Sequence, residues 1–293
     1  MSSDLYDFSA SEPEKPAKAI DSGLYIVATP IGNLADLSQR AVEMLRAADL
    51  IAVEDSRVTG KLLHHLGLKK RMRPYHDHSS EADREALLAA AREGVVVLVS
   101  DAGTPLISDP GYKLVRAARE AGIPVSTAPG ASAVVTALSI SGLPTDRFLF
   151  AGFLPSKAKA RADVIAEIGN VKSTLVFYES GPRLGATLAA LAEQLGPREA
   201  VVARELTKKF EEVVSGTLPE LAERYAAAEP KGEIVLIVGP PGEVQAEQGD
   251  YEAALMAALE NLPPAKAAKD IAKRFGVDRA EVYERAMALK SST

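Results

Sequence analysis

Apolar residues along this chain gather into short blocks that end in polar, glycine- and proline-bearing exits. LYIVATP at 24–30 is one such block; IGNLADLSQRAVEMLRAA follows with apolar residues at helical spacing and leads into a second block, LIAV at 50–53. A helix over about 57–66 and a polar helix near 81–92 precede VVVLVS at 95–100, after which the pattern predicts a helix at 112–121, a strand at 125–128 and a helix at 132–141. Strand and helix in alternation predict an α/β fold with a mainly parallel sheet covered on both faces. The stretch SGLPTDRFLFAGFLPSK at 141–157 breaks this rhythm and reads as a domain hinge. Beyond it, TLVFYES (174–180), a helix after Pro182, AVVARELT (200–207), EEVVSGT (211–217) and GEIVLIVG (232–239) form a second α/β unit, spaced closely enough to predict some antiparallel pairing.

The expected organisation is a disordered leader at 1–22, rich in Ser, Glu, Pro and Lys, an N-terminal α/β domain at 23–142 and a second α/β domain at 143–240. A linker at 240–250 leads to a small C-terminal helical domain at 250–293, in which Gly276 separates two helices and Asp278 and Glu281 stand at capping-box spacing. That tail is helix-turn-helix-like, but its seven basic and seven acidic residues argue against a DNA-reading role.

With 293 residues, two compact units are expected. No apolar run of ~18 residues and no basic-then-apolar N-terminal pattern is present, so a soluble, unexported, cytoplasmic protein is expected. The count of 0 cysteines excludes disulfides, thiolate catalysis and cysteine-held zinc or iron–sulfur sites. A net charge of -6 opposes indiscriminate nucleic-acid binding. Between Arg57 and His78, however, six cations (Arg57, Lys61, Lys69, Lys70, Arg71, Arg73) face Asp77 alone, and all 4 histidines (His64, His65, His76, His78) share the segment. Such an island is either a solvated face or a docking patch for one polyanion.

Three strand exits, TPIGNL at 29–34, EDSR at 54–57 and SDAGTPLISDPG at 100–111, are joined by a helix start, PGASA at 129–133, and together they line one crevice at strand ends. A dinucleotide site is disfavoured, because TPIGNL holds one glycine where the fingerprint requires three, although Glu54 has the spacing of a ribose-binding acid. Gly60-Lys61 is followed by Leu62, so there is no P-loop, and no G-x-S-x-G elbow occurs. His76 and His78, with Asp77, Asp55 and Glu54, are the best metal-ligand set, but His64 and His65 diverge on a helix and no metal is expected.

LYIVATPIGNLADLS, AVEDSR, VSDAGTPLISDPG, PGASA, FAGFLPSK, FYESGPR, RELTKKFEE and GEIVLIVG occur in this order, and together they resemble the ribosomal RNA small subunit methyltransferase I family, which has the tetrapyrrole methylase fold. The resemblance runs from about Leu24 to Gly239, and the tail is similar to that family's C-terminal helical domain. It implies two α/β domains with a cofactor crevice between them, and methyl transfer from S-adenosyl-L-methionine to the 2'-hydroxyl of a cytidine in the decoding region of small-subunit (16S) ribosomal RNA. The resemblance further implies an assembled or partly assembled subunit as the RNA partner and a homodimer, and no membrane is expected. The cofactor contacts it implies are Pro30, Ser100, Asp101, Ala102, Gly103, Thr104, Ile107, Ser132, Ala133, Tyr178 or its neighbour Glu179, and Leu206, with Gly232 and Ile234 closing over adenine.

An apolar slot with backbone hydrogen bonds suits adenine, while Asp101 suits the amine and ribose hydroxyls; for Ile107, Leu206 and Ile234 the alternative is a place in the core. In-line placement supplies much of the acceleration, and a base or acceptor for the hydroxyl adds to it. The catalytic candidates are Glu54 and Asp55, with Arg57 orienting them or holding a phosphate; an exposed ion pair at a helix start is the alternative. RNA contacts are expected from Lys61, Lys69, Lys70, Arg71, Arg73, Lys157, Lys159, Arg161, Lys208 and Lys209, positioning the backbone without reading sequence. Asp109, Pro110 and Gly111 read as the turn and cap of the next helix. Two other readings stay open here: a small-molecule, tetrapyrrole-type methylase of the same fold, and a non-enzymatic ribosome-binding protein.

Overall fold

A computed structural model describes residues 20–242 and 251–291. The expected leader and linker therefore lie, apart from 20–22 and 240–242, outside the described residues. The first unit runs β1 (Gly23–Val27), α1 (Gln39–Ala47), β2 (Leu50–Val53), α2 (Ser56–His65), β3 (Met72–Pro74), α3 (Glu81–Glu93), β4 (Val95–Val99), α4 (Tyr112–Glu120), β5 (Val125–Ala128) and α5 (Ala133–Ser141). Its sheet has the order β3-β2-β4-β1-β5 and every pairing is parallel. The strands β1 and β4 are buried at every position, which is why they read as unbroken apolar blocks. One face packs Ala41, Met44, Leu45 and Leu63 from α1 and α2. The other packs Leu87, Leu88, Leu114 and Ala118 from α3 and α4. Local chemistry sets the helix starts: Ser38 caps α1, and Ser80 with Asp83 forms a full capping box on α3.

The second unit runs β6 (Phe148–Phe153), α6 (Ala158–Ile168), β7 (Thr174–Ser180), α7 (Gly181–Leu195), β8 (Glu199–Arg204), β9 (Glu212–Thr217), α8 (Leu218–Arg224) and β10 (Glu233–Val238). Its sheet order is β6-β7-β10-β8-β9, with β6 parallel to β7 and the other pairings antiparallel. The segment read as a hinge thus contains an edge strand, β6, whose register shifts between Phe150 and Phe153 around Gly152. Although α5 follows the first sheet in sequence, its Val134, Ala137 and Leu138 pack on Val176, Val201, Val235 and Ile237 of the second. Ile31, in the exit after β1, joins the same cluster and so ties the two units together.

The tail forms α9 (Glu252–Asn261), α10 (Pro264–Phe275) and α11 (Arg279–Ser291) around a separate core of Leu255, Ala267, Ala268, Ile271, Val282 and Ala286. Gly276 ends α10 in the left-handed region at φ 65°. Asp278 accepts from the N–H groups of Ala280 and Glu281. The Glu281 carboxylate, expected to complete the box, accepts from the Tyr251 hydroxyl. Among the described residues no helix is long and apolar enough to cross a membrane.

Candidate active site

Parallel strands place their carboxyl ends on one edge of a sheet, and ligands collect there. The exits of β1, β2, β4 and β5 meet at that edge of the first unit. The Thr29 and Gly103 backbones exchange hydrogen bonds of 2.8 and 3.0 Å, closing the β1 exit on the β4 exit. The Thr104 hydroxyl donates to the Ala131 carbonyl at 3.0 Å and fixes the start of α5. Facing this edge are the ends of β6, β7 and β8 and the start of β10.

Between the two units lies a crevice of about 340 Å³. Apolar or small residues line part of it, Ile31, Ser132, Ala133, Leu206, Gly232, Ile234 and Val235. The remaining lining is Glu54, Asp101, Ala102, Gly103, Thr104, Ile107, Ser108, Asp109, Phe153, Tyr178, Glu179, Ser180 and Glu233, with Tyr178 and Glu179 cross-strand neighbours of Val235 and Ile234. A second cavity of about 240 Å³ adjoins it, lined by Thr29, Pro30, Gly32, Leu34, Val58, Thr59, Lys61, Leu62 and Ser100, and it shares Asp101 with the first. Of the expected cofactor contacts, all but Pro30 and Ser100 line the larger crevice, and those two line the smaller.

The carboxylates are ordered by backbone. The Asp101 Oδ1 accepts from the Asp55 N–H at 3.0 Å, and the Asp101 N–H donates to the Glu54 Oε2 at 3.3 Å. Asp55 caps α2 and pairs with Arg57 Nε and Nη2, and this pairing pushes its carboxyl down to about 2. The Arg57 side chain is 86% exposed, so the pair is a surface feature beside the crevice. Only Glu54 of the three catalytic candidates lines the crevice. Asp109, half-buried, is pushed up to about 6 by desolvation, opposed by a hydrogen bond with Ser100 and reinforced by the charges of Glu54 and Asp101. Tyr178 is pushed up to about 12 by desolvation and by Asp109 and Glu233, and its ring meets Phe150 and Phe153 edge-on at 4.9 and 5.6 Å.

Glu179 lines the crevice, but its carboxylate is engaged within the second unit. Its side chain is 2% exposed, accepts from Thr187 Oγ1 at 2.6 Å and from the Ser180 N–H, and lies 3.3 Å from Arg183. Ile107, by contrast, is 39% exposed, on the crevice rim and outside the core. Leu206 sits between Glu205 and Thr207, both left-handed at φ 51° and 64°. Beneath it the ends of β8 and β10 are clamped, because Lys208 Nζ binds Glu205 at 2.9 Å and Glu233 at 2.7 Å.

That clamp gives the Lys208 ammonium, expected among the RNA contacts, two acidic partners. Lys70 donates to the Arg46 and Ala48 carbonyls at the end of α1, and Arg73 pairs with Asp83 at 2.8 Å. Lys61, Lys69, Arg71, Lys157, Lys159 and Lys209 are exposed, and Lys209 lies over the Phe210 ring; Arg161 is half-buried. The candidate residues did not include Ile31, Ser108, Asp109, Phe153, Ser180, Glu233 and Val235, which also line the crevice. An aromatic such as Phe153 beside a left-handed glycine, Gly152, was the one available signal. Among the described residues no group of three or more His, Cys, Asp or Glu is placed to hold a metal.

Residues 23–222 match the family described as Tetrapyrrole (Corrin/Porphyrin) Methylases, and 245–290 match the RsmI C-terminal HTH domain. The chain is 54% identical over 275 residues to ribosomal RNA small subunit methyltransferase I of Erythrobacter litoralis, covering 94% of this chain and 98% of that protein. It is 48% identical to the protein of that name from Escherichia coli O157:H7, over 90% and 94% of the two chains. Among solved structures it is similar to diphthine synthase, 17% identical with a TM-score of 0.60 over 74% of this chain and 89% of that one. It is also similar to uroporphyrin-III C-methyl transferase from Thermus thermophilus complexed with S-adenyl homocysteine, 23% identical with a TM-score of 0.51 over 74% and 97%.

Proposed function

This chain belongs to the ribosomal RNA small subunit methyltransferase I family and is an S-adenosyl-L-methionine-dependent rRNA methyltransferase, and from that premise we propose that it methylates the 2'-hydroxyl of a cytidine in the decoding region of small-subunit ribosomal RNA. The observation that carries the reading is the pair of adjoining cavities that share Asp101. The larger matches the size and lining of a small-molecule site, and the smaller opens beside Lys61.

The residues fit the cofactor. Ile31, Leu206 and Ile234 form an apolar slot for adenine, and the carboxyl groups of Glu54 and Asp101 suit the cationic sulfonium and amine. S-adenosyl-L-methionine supplies an activated methyl, so the chain must mainly hold acceptor and donor in line. The acceptor ribose lies at the Asp101 junction, its nucleotide in the cavity with Lys61. Reaching it requires the cytidine to leave its stack.

Lys61, Lys69, Arg71, Lys157, Lys159 and Lys209 hold phosphates and set register, leaving target choice to the shape of the assembling subunit. The protein works in the cytoplasm as a homodimer. The exposed apolar side chains Val135 and Ile140 on α5 and Phe148 on β6 support a self-contact.

Purified chain, labelled S-adenosyl-L-methionine and either small subunits or free RNA test the reading. The expected product is a labelled cytidine whose 3'-linkage resists alkali, together with a sedimenting mass of two chains. Label on a base, or on no RNA at all, overturns it.

A further inference from the structure

We propose that Asp109 is the catalytic residue that removes the proton from the acceptor hydroxyl. This rests on the preceding reading, in which the acceptor is a ribose oxygen.

The geometry excludes the simpler role of a helix cap. The cap position of α4 is Gly111, not Asp109, and it makes no side-chain cap hydrogen bond. Asp109 instead lines the crevice with Ser108 and Ile107. Its position is imposed by an unusual backbone: Gly103, Leu106, Ser108 and Gly111 are all left-handed, at φ 78°, 74°, 65° and 135°. Two of the four carry side chains, Ser108 directly before Asp109, and strain of this kind collects where a side chain must be aimed. The loop is also braced from the second unit, because a Cβ on Gly152 would stand 3.0 Å from Ser108 Oγ.

The competing acids are otherwise engaged. Asp55 is held by Arg57, and its low proton affinity makes it a poor base. Glu54 accepts from the Asp101 N–H, and Asp101 accepts from the Asp55 N–H. Asp109 is raised to about 6, near the range where a general base works best. The groups facing it are Glu54 at the end of β2, Ser100 and Asp101 after β4, and Tyr178 on β7 with Glu233 of β10 nearby. All are acidic or neutral.

In the step, the 2'-oxygen passes its proton to an Asp109 carboxylate oxygen while it forms the new O–C bond to the methyl group. The C–S bond breaks with its electron pair returning to sulfur, which leaves as a neutral thioether. The carboxylic acid then loses its proton to solvent, and the charges balance.

The test compares the full-length wild type with Asp109→Asn and Asp109→Glu on small subunits. Single-turnover rates are followed from pH 5 to 9, and cofactor affinity is measured by calorimetry. The wild type is expected to lose rate below about pH 6 with a one-proton slope. Asp109→Asn should fall by roughly 10² or more with no acid limb and with cofactor affinity within about threefold, whereas Asp109→Glu should restore both the limb and part of the rate. If Asp109→Asn keeps the limb, or its loss of rate is matched by its loss of cofactor affinity, the assignment is overturned. The two readings fail separately. A wild-type product whose labelled linkage is cut by alkali overturns the ribose acceptor, while an alkali-resistant product with an active Asp109→Asn overturns the base alone.

Discussion

Asp55 and Asp109 carry the same carboxyl, one drawn down to about 2 by an arginine and the other lifted to about 6 by burial and neighbouring charge. The lifted group has a stability consequence of definite sign. Because the folded state holds this proton more tightly than the unfolded chain does, its favourable contribution is complete below about pH 4 and is lost as pH rises through about 6. At neutral pH the ionised Asp109 therefore destabilises the fold. A rise of two pH units would be worth about 2.7 kcal/mol in full, and solvent on the open side of the crevice reduces that to roughly 1 kcal/mol. Asp109→Asn should consequently melt higher than wild type at pH 7.5 and equally at pH 4, even while it loses activity. Urea titrations at the two pH values measure this, and a variant less stable at pH 7.5 contradicts it. Nothing in the residue order SDPG distinguishes this aspartate from a turn former. Its role depends on Glu54 and Asp101, which come from other strand ends, and sequence neighbours do not record such convergence.

At the scale of elements, β1, β2 and β4 were legible because a buried parallel strand must be apolar almost throughout. Two edge strands, β3 and β6, were not. β3 is three residues, MRP, inside the basic island, and β6 carries Gly152 at φ 64° and a register shift, so neither shows a clean period. Motif order carried the crevice further than periodicity did, since most expected cofactor contacts meet in one place. It could not tell that Glu179 turns into the second core or that Lys208 clamps β8 to β10. The β4 exit also yields a test. Gly103 is left-handed at φ 78°, and a Cβ there would stand 3.2 Å from Ile31 Cγ2, the residue that bridges the units. Gly103→Ala should cost about 1–2 kcal/mol and push Ile31 into the adenine slot. Calorimetry should show cofactor affinity reduced about tenfold or more, and unchanged affinity would mean that Ile31 does not border the cofactor.

For the whole molecule, a net charge of -6 and a partner made of phosphate are reconciled only by segregation. Counting cations along the chain overstates the basic face, because Lys70 caps α1, Arg73 holds Asp83 and Lys208 holds two glutamates. Of the exposed members, Lys61 lines the smaller cavity proposed for the acceptor, and Lys69 and Arg71 lie just before β3. Each phosphate they neutralise releases counterions, so each contributes about 0.7–0.9 to the slope of log affinity against log salt. Replacing all three by alanine should lower that slope by about 2–3 and weaken RNA binding at low salt, with cofactor affinity unchanged. The pair Lys70→Ala and Arg73→Ala provides the contrast, since its cations are engaged within the fold and it should alter the slope by less than one. Equal slopes for the two sets, measured on the same RNA, would place the phosphate track elsewhere and leave the second group, Lys157, Lys159 and Lys209, to carry it.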